Sequence, residues 1–210
     1  WLEDSRRYYT NIVGKYGVQV QAALKKAAGL EIKMICPLHG LLWRENIGWL
    51  LEKYNAWSTY TPEEKGVVIA YGSIYGNTEN AANILAGMLA ERGVRNIHMY
   101  DVSATHPSYI LSDAFRFSHV VFASITYNSG IFTNMEKLLH DIAPHNRPNR
   151  TTASLQNGSW AATSAKQMAA VLEKLKNMTV LEPLPTLKSS VKPAQVKEIA
   201  ALADAIVASM

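Results

Sequence analysis

The chain has 210 residues, 48% of them apolar, a single cysteine and a formal net charge of +4. That length suits one large domain or one domain with an appendage, and the apolar share can fill a sizeable core. No apolar run approaches membrane-spanning length, no signal-peptide pattern opens the chain, and one cysteine excludes an internal disulfide framework and fits a reducing cytoplasm. The chain opens at Trp1 rather than at a methionine, so it reads as a piece of a longer one. Its positive charge is dispersed: Lys25 and Lys26, with Arg147 and Arg150 further on, come nearest to a cluster. Nucleic-acid binding calls for a denser basic stripe and is not expected.

Residues 1–60 form a distinct block that holds Trp1, Trp43, Trp49 and Trp57, four of the five tryptophans. A helical pattern runs through Tyr8, Ile12 and Val13 and is expected to break at Gly14-Lys15-Tyr16-Gly17. A second helix carries Val18, Val20, Ala23, Leu24 and Ala27, with Gly29 placed as its C-terminal cap. Ile32–Ile35 is a short strand candidate. Ile47, Leu50, Leu51 and Tyr54 suggest a third helix starting near Arg44. Residues 58–66, polar and holding Pro62 and Gly66, read as a linker, and residues 61–210 as a second domain.

That second part alternates strands and helices. Val67–Tyr71 is a short β-branched run, as a strand covered on both faces should be. Ala81, Ile84, Leu85, Met88 and Leu89 then recur at helical spacing. Strands follow at 95–101, 119–125, 151–156 and, weakly, 179–181. Helices are expected at 107–117, 132–142, 163–175 and from Pro193 onward. Such alternation implies a parallel sheet with right-handed crossovers. The α/β pattern fits a doubly wound five-stranded sheet of order 2-1-3-4-5 with a mostly helical N-terminal appendage.

In such a sheet a ligand sits beyond the carboxyl ends of the strands, near the point where strand order reverses. Three loops are expected there. The first is Ser73, Ile74, Tyr75, Gly76, Asn77 and Thr78, opening a helix whose N-terminus suits a phosphate. It lacks the lysine of a nucleoside-triphosphatase loop and the glycine spacing of a dinucleotide fingerprint, so a cradle of neutral donors remains, suited to one terminal phosphate of a mononucleotide. The second is Thr126, Tyr127, Asn128, Ser129 and Gly130, and the third Asn157, Gly158, Ser159, Trp160 and Ala161. No catalytic triad or acid/base pair accompanies them. Ser73 and Ser129 lack an evident partner histidine, and Asp101 and Asp113 read as solvated or capping positions.

Tyr-Gly-Ser-Ile-Tyr-Gly-Asn-Thr-Glu, Thr-Tyr-Asn-Ser-Gly-Ile-Phe and Asn-Gly-Ser-Trp-Ala resemble the three FMN loops of flavodiiron proteins (A-type flavoproteins), a family with a flavodoxin-like domain. The N-terminal run Met-Ile-Cys-Pro-Leu-His-Gly resembles the end of that family's metallo-β-lactamase-like diiron domain. By this resemblance residues 1–60 are the C-terminal remnant of that domain, and His39 is an iron ligand in the intact parent. The remaining histidines, His98, His106, His119, His140 and His145, lie at unrelated spacings, and one histidine cannot hold two irons. The resemblance therefore implies an FMN-binding electron-transfer domain whose diiron centre is missing from this chain. Tyr127 and Trp160 are candidates to cover the flavin ring, and the backbone at Asn128, Gly130, Asn157 and Gly158 to bind its pyrimidine edge. Electrons would come from rubredoxin or an NAD(P)H-dependent reductase, in a head-to-tail homodimer. An acidic partner suits the mild positive charge. Two other readings stand beside this one: a flavodoxin-fold NAD(P)H:quinone reductase, and a cofactor-free docking module.

Overall fold

A computed structural model of the chain describes residues 1–143, 149–175 and 178–210; Arg147 and His145, named above, lie outside them. The strands are β1 (Glu64–Gly72), β2 (Ile97–Asp101), β3 (Phe117–Tyr127), β4 (Gly130–Ile131), β5 (Arg150–Asn157), β6 (Met178–Val180) and β7 (Thr186–Leu187). The helices are α1 (Leu2–Tyr8), α2 (Gly17–Ala27), α3 (Ile47–Ser58), α4 (Asn77–Glu91), α5 (Pro107–Arg116), α6 (Thr133–Ile142), α7 (Ser164–Leu172) and α8 (Pro193–Ala208).

The sheet runs β2-β1-β3-β5-β6, with all these neighbours parallel. Counting principal strands only, that is the expected 2-1-3-4-5 order. Two short strands add to it. β4 pairs antiparallel with the end of β3, and β7 lies parallel to the last two residues of β5. The fifth strand position is thus filled twice, by β6 beside Arg150–Thr152 and by β7 beside Gln156 and Asn157. Pro183 and Pro185 fall between the pieces, and neither has an N–H to extend the ladder.

Side chains on a strand alternate between faces. Val68, Ala70, Val120 and Phe122 face α5, α6 and α7, whereas Val67, Ile69, Val121, Ala123 and Leu155 face α4 and α8. Both faces are fully buried, which is why these strands read as continuous apolar runs.

The N-terminal block differs from expectation at several points. The break at Gly14–Gly17 is no interruption: α1 runs through a π turn (Tyr9–Val13) and a 3-10 turn (Gly14–Tyr16) into α2. Gly17 is needed because a Cβ there would strike the Ser58 carbonyl at the end of α3. Gly29 is not a left-handed cap; α2 ends at Ala27, with Ala28 capping it in right-handed geometry. Of the Ile32–Ile35 strand only one antiparallel bridge forms, between Ile35 and Trp43. α3 starts after Arg44 because Asn46 turns the chain with φ of 52°.

The segment expected to be a polar linker is packed into the protein. Trp57 is buried, and the Glu63 side chain is 1% exposed. Glu63 accepts hydrogen bonds from Arg6 Nε (2.5 Å), Lys53 Nζ (2.8 Å) and Trp57 Nε1 (2.6 Å). A buried carboxylate needs such partners. Tyr9 and Trp57 then pack with Phe115 of α5, which joins the block to the sheet layer. Elsewhere the block exposes large apolar side chains, Val18, Leu30 and Leu38 among them.

Arg150 and Asp113 depart from the surface positions expected of them, and His119 is a third buried polar residue. Arg150, read as part of a basic surface cluster, is buried. Asp113 neither caps nor faces solvent; it is buried and bonded by His98 Nδ1 at 2.6 Å and Tyr100 Oη at 2.5 Å. His119 is buried between Ser118 Oγ (2.7 Å) and Ser209 Oγ (2.9 Å). Burial, with the charge of Lys65, pushes its pKa from 6.5 down to about 4. The folded protein therefore holds His119 neutral where the unfolded chain protonates it. Its contribution is intact above pH 6.5 and declines as pH falls toward 4. We expect a loss of about 2 kcal/mol between pH 7.5 and 5, measured by urea unfolding, and a His119→Gln variant without that loss. An unchanged slope in the variant rejects the assignment.

Candidate functional site

β1 delivers the first loop. Gly72 lets the strand end pass Phe132, since a Cβ there would come within 2.6 Å of the Phe132 ring. The chain then turns through Ser73–Gly76. Gly76 has φ of +80°, with no atom within 4 Å of where a Cβ would stand. α4 begins at Asn77, and Asn80 N bonds the Gly76 carbonyl at 2.8 Å. Backbone N–H groups of the first helical turn have no partner within the helix and point out of its end. The Ser73 hydroxyl is buried and has no hydrogen-bond partner. Thr78 is buried, and its Oγ1 accepts from Asn157 Nδ2 at 3.3 Å. Ile74 and Tyr75 are exposed, Tyr75 at 85%.

The second loop is a two-residue hairpin. Tyr127 pairs with Gly130 across Asn128 (φ 47°) and Ser129 (φ 60°). Two successive positive φ values match the twist of the flanking strands. This loop is tied to α7. Thr126 Oγ1 accepts from Thr163 N (3.0 Å) and Ser164 N (3.2 Å), and Gln167 Nε2 donates to the Ser129 carbonyl at 2.7 Å. The Thr126 hydroxyl is thus engaged at the α7 N-terminus, whose amides need acceptors. Sequence spacing does not show that use.

The third loop follows β5. Asn157 is 2% exposed, and Gly158 is buried. A Cβ on Gly158 would lie 2.8 Å from the Ala161 carbonyl oxygen and 2.9 Å from the Ala162 Cα, both rigid backbone. Gly158 N donates to the Leu187 carbonyl at 3.1 Å, and Ser159 Oγ meets Ser189 Oγ at 3.1 Å. Tyr127 is partly exposed, and Trp160 presents 96% of its surface to solvent.

The first and third loops therefore touch through Thr78 and Asn157, and the second joins them through the start of α7. Ser189, between β7 and α8, also stands in this cluster with φ of 66°. It was missed in the sequence, although Lys188-Ser189-Ser190 before Pro193 is one more hydroxyl-rich turn ahead of a helix. The donors gathered here are neutral hydroxyls and backbone amides, able to bind an anion without a metal.

His39 lies elsewhere, exposed, with its ring 5.4 Å from that of Tyr8. It lines an apolar cavity of about 410 Å³ with Trp1, Trp43 and Tyr54, and this cavity does not reach the three loops. Among the described residues no group of three or more His, Cys, Asp or Glu side chains is placed to hold a metal ion. The described residues therefore do not fit a diiron ligand set. No described helix is long and apolar enough to cross a membrane.

A doubly wound parallel sheet with hydroxyl- and glycine-rich loops at its switch point defines a flavodoxin-type domain. The chain belongs to the flavodoxin family, whose profile matches residues 69–200. Its similarity to flavodiiron proteins extends into the N-terminal block. It is 30% identical to the rubredoxin-oxygen oxidoreductase of Megalodesulfovibrio gigas over 168 residues, 78% of this chain and 41% of that one. With the nitric oxide reductase of Moorella thermoacetica it shares 25% over 189 residues, 89% of this chain and 47% of that one. The solved rubredoxin oxygen:oxidoreductase of Desulfovibrio gigas superposes with a TM-score of 0.87 at 26% identity, covering 97% of this chain and 51% of that one. The chain spans between 35% and 50% of the length of the curated relatives it matches first.

Proposed function

We propose that this chain is the FMN-binding electron-transfer domain of a flavodiiron oxygen or nitric oxide reductase. In this reading it receives electrons from rubredoxin or an NAD(P)H-dependent reductase. It passes them to a diiron centre that the described residues do not supply, within a head-to-tail homodimer in a reducing cytoplasm. Residues 1–60 would be the end of the diiron domain.

The observation that carries the reading is the Ser73 hydroxyl, buried without a partner at the mouth of α4. A buried unpaired hydroxyl is destabilising by about 1–3 kcal/mol, so a phosphate oxygen accepting its hydrogen bond would remove that penalty. The residues fit such a group. Gly76 leaves open space, and the Asn77, Thr78 and Glu79 amides carry the positive end of the helix dipole. Backbone groups at Asn128 and Gly130 and the Gly158 carbonyl, whose own amide is bonded to Leu187, would serve the polar edge of a flat ring. Tyr127 and Trp160 supply its apolar cover. Bound FMN would supply the redox chemistry, and the protein binds it, orients it and tunes its environment.

The test is a titration of cofactor-free protein with FMN and with riboflavin, following flavin fluorescence. We expect quenching by FMN at least about tenfold tighter than by riboflavin, the equivalent of one or two charge-assisted hydrogen bonds. Absence of quenching by either flavin overturns the reading.

A further inference from the structure

The Asn157 side chain holds the most connected position in the site. The carboxamide makes three hydrogen bonds. Nδ2 donates to Thr78 Oγ1 (3.3 Å) and to the Ser189 carbonyl (3.0 Å), and Oδ1 accepts from Ser189 N (3.0 Å). Both amide hydrogens and the carboxamide oxygen are therefore engaged inside the protein. Asn157 acts through its neighbours.

Its action on Ser189 is to clamp a left-handed turn. Ser189 has φ of 66°, a conformation that non-glycine residues adopt only when their surroundings hold them there. Its action on Thr78 concerns polarity. A threonine hydroxyl has one hydrogen and two lone pairs. Because Nδ2 donates to Thr78 Oγ1, the Thr78 hydrogen must be directed elsewhere. Thr78 is the second residue of α4, in the turn whose amides lack partners within the helix, and the unpaired Ser73 hydroxyl belongs to the same loop. A hydroxyl forced to donate there favours an anion.

We propose that Asn157 is a positioning residue that fixes the Thr78 hydroxyl as a donor toward the α4 N-terminus, making the site selective for a phosphorylated flavin over the unphosphorylated one. Through Ser189 the same side chain locks the segment between β7 and α8 against that subsite. The proposal rests on the FMN reading above.

Asn157→Asp is the sharpest variant because it keeps the shape and inverts the polarity. A carboxylate accepts from the Thr78 hydroxyl, turns its hydrogen away from the loop and adds a negative charge beside the phosphate subsite. We expect FMN affinity to fall by about a hundredfold, while riboflavin affinity changes by no more than about threefold. A purely structural role moves both ligands together, so the ratio of the two affinities is the deciding quantity. In a Thr78→Val background, with no hydroxyl to reorient, the effect of Asn157→Asp on that ratio should shrink by about tenfold, a non-additivity read from the double-mutant cycle. Thermal melts establish that each variant folds. If Asn157→Asp does not fold, the uncharged Asn157→Ala replaces it, with an expected fall of about three- to tenfold in the ratio. Equal losses for FMN and riboflavin, or an unchanged ratio, overturn the proposal while leaving the FMN reading intact. Failure of the unmodified protein to bind either flavin removes the reading itself and is separately visible.

Discussion

Glu63→Ala should lower the unfolding free energy by about 3–5 kcal/mol, the range found when one member of a buried ion pair is deleted. The side chains of Glu63 and Arg6 are each 1% exposed, and the Trp57 indole N–H also ends on this carboxylate. Truncation leaves the buried Arg6 guanidinium with Glu3 as its remaining carboxylate, at 2.9 Å, and strands the buried Trp57 N–H. Glu63→Gln should fall between, since it keeps the shape but removes the charge opposite Arg6. The same carboxylate predicts a pH window. Burial alone would raise its pKa, but hydrogen bonds from Arg6, Lys53 and Trp57 and the charge of Arg6 outweigh burial and hold it below the ordinary 4.5. A depressed carboxylate contributes stability that is complete above the unfolded value and lost as pH falls through the folded one. The wild-type advantage over Glu63→Gln should therefore persist at pH 6 and vanish in strong acid. Urea titrations at the two pH values measure it. A difference below about 1 kcal/mol at pH 6 would place this pair with surface ion pairs.

Val67–Tyr71 and Val120–Ala123 announce buried strands because local composition reflects two-sided burial. The three loops could be located because topology puts them at one sheet edge and because short polar residues and glycine mark tight turns. Arg6 and Glu63, however, are 57 positions apart, and nothing local distinguishes Glu63 from Glu64 beside it. A polar stretch with a proline looks like a linker whether its carboxylate meets water or a buried arginine. Side-chain roles within the loops were hidden for the same reason. Thr126 and Asn157 have the composition of ligand-binding residues, but Thr126 caps a helix and Asn157 ties segments 79 and 32 residues distant. Long-range polar pairing is set by geometry that the chain acquires only on folding. Residue types and turn positions survive in the sequence, and hydrogen-bond partners do not.

Arg150, at the opposite end of β5 from the loops, carries the second large effect. Its guanidinium donates to the carbonyls of Tyr60 (2.6 Å), Phe115 (2.7 Å), Ala114 (2.9 Å) and Asn149 (3.0 Å). These belong to the turn after α3, the end of α5 and the start of β5, so one side chain joins the N-terminal block to the sheet. Burial pushes its pKa down to about 10, against the opposing charge of Glu63. The charge is therefore held at a cost, which the four carbonyls offset. Arg150→Met relieves the desolvation but strips each carbonyl of this donor, and losses of about 1 kcal/mol or more apiece outweigh the relief. We expect a net destabilisation of about 2–4 kcal/mol by urea unfolding. Arg150→Lys should recover less than half of it, because a single ammonium cannot reproduce the planar fork. Tyr60 sits at φ of 58°, and its hydroxyl bonds the Gly14 carbonyl at 2.9 Å. Loosening Tyr60 should therefore free the N-terminal block first, seen as earlier proteolysis within residues 1–60 than in the sheet. The three loops lie at the other end of β5, fixed by Asn157, Gly158 and α7. FMN affinity in the still-folded Arg150→Lys protein should stay within about threefold of wild type, since sites so far apart couple weakly. A larger loss would mean that the register of β5, and not the loop hydrogen bonds alone, holds the site in shape.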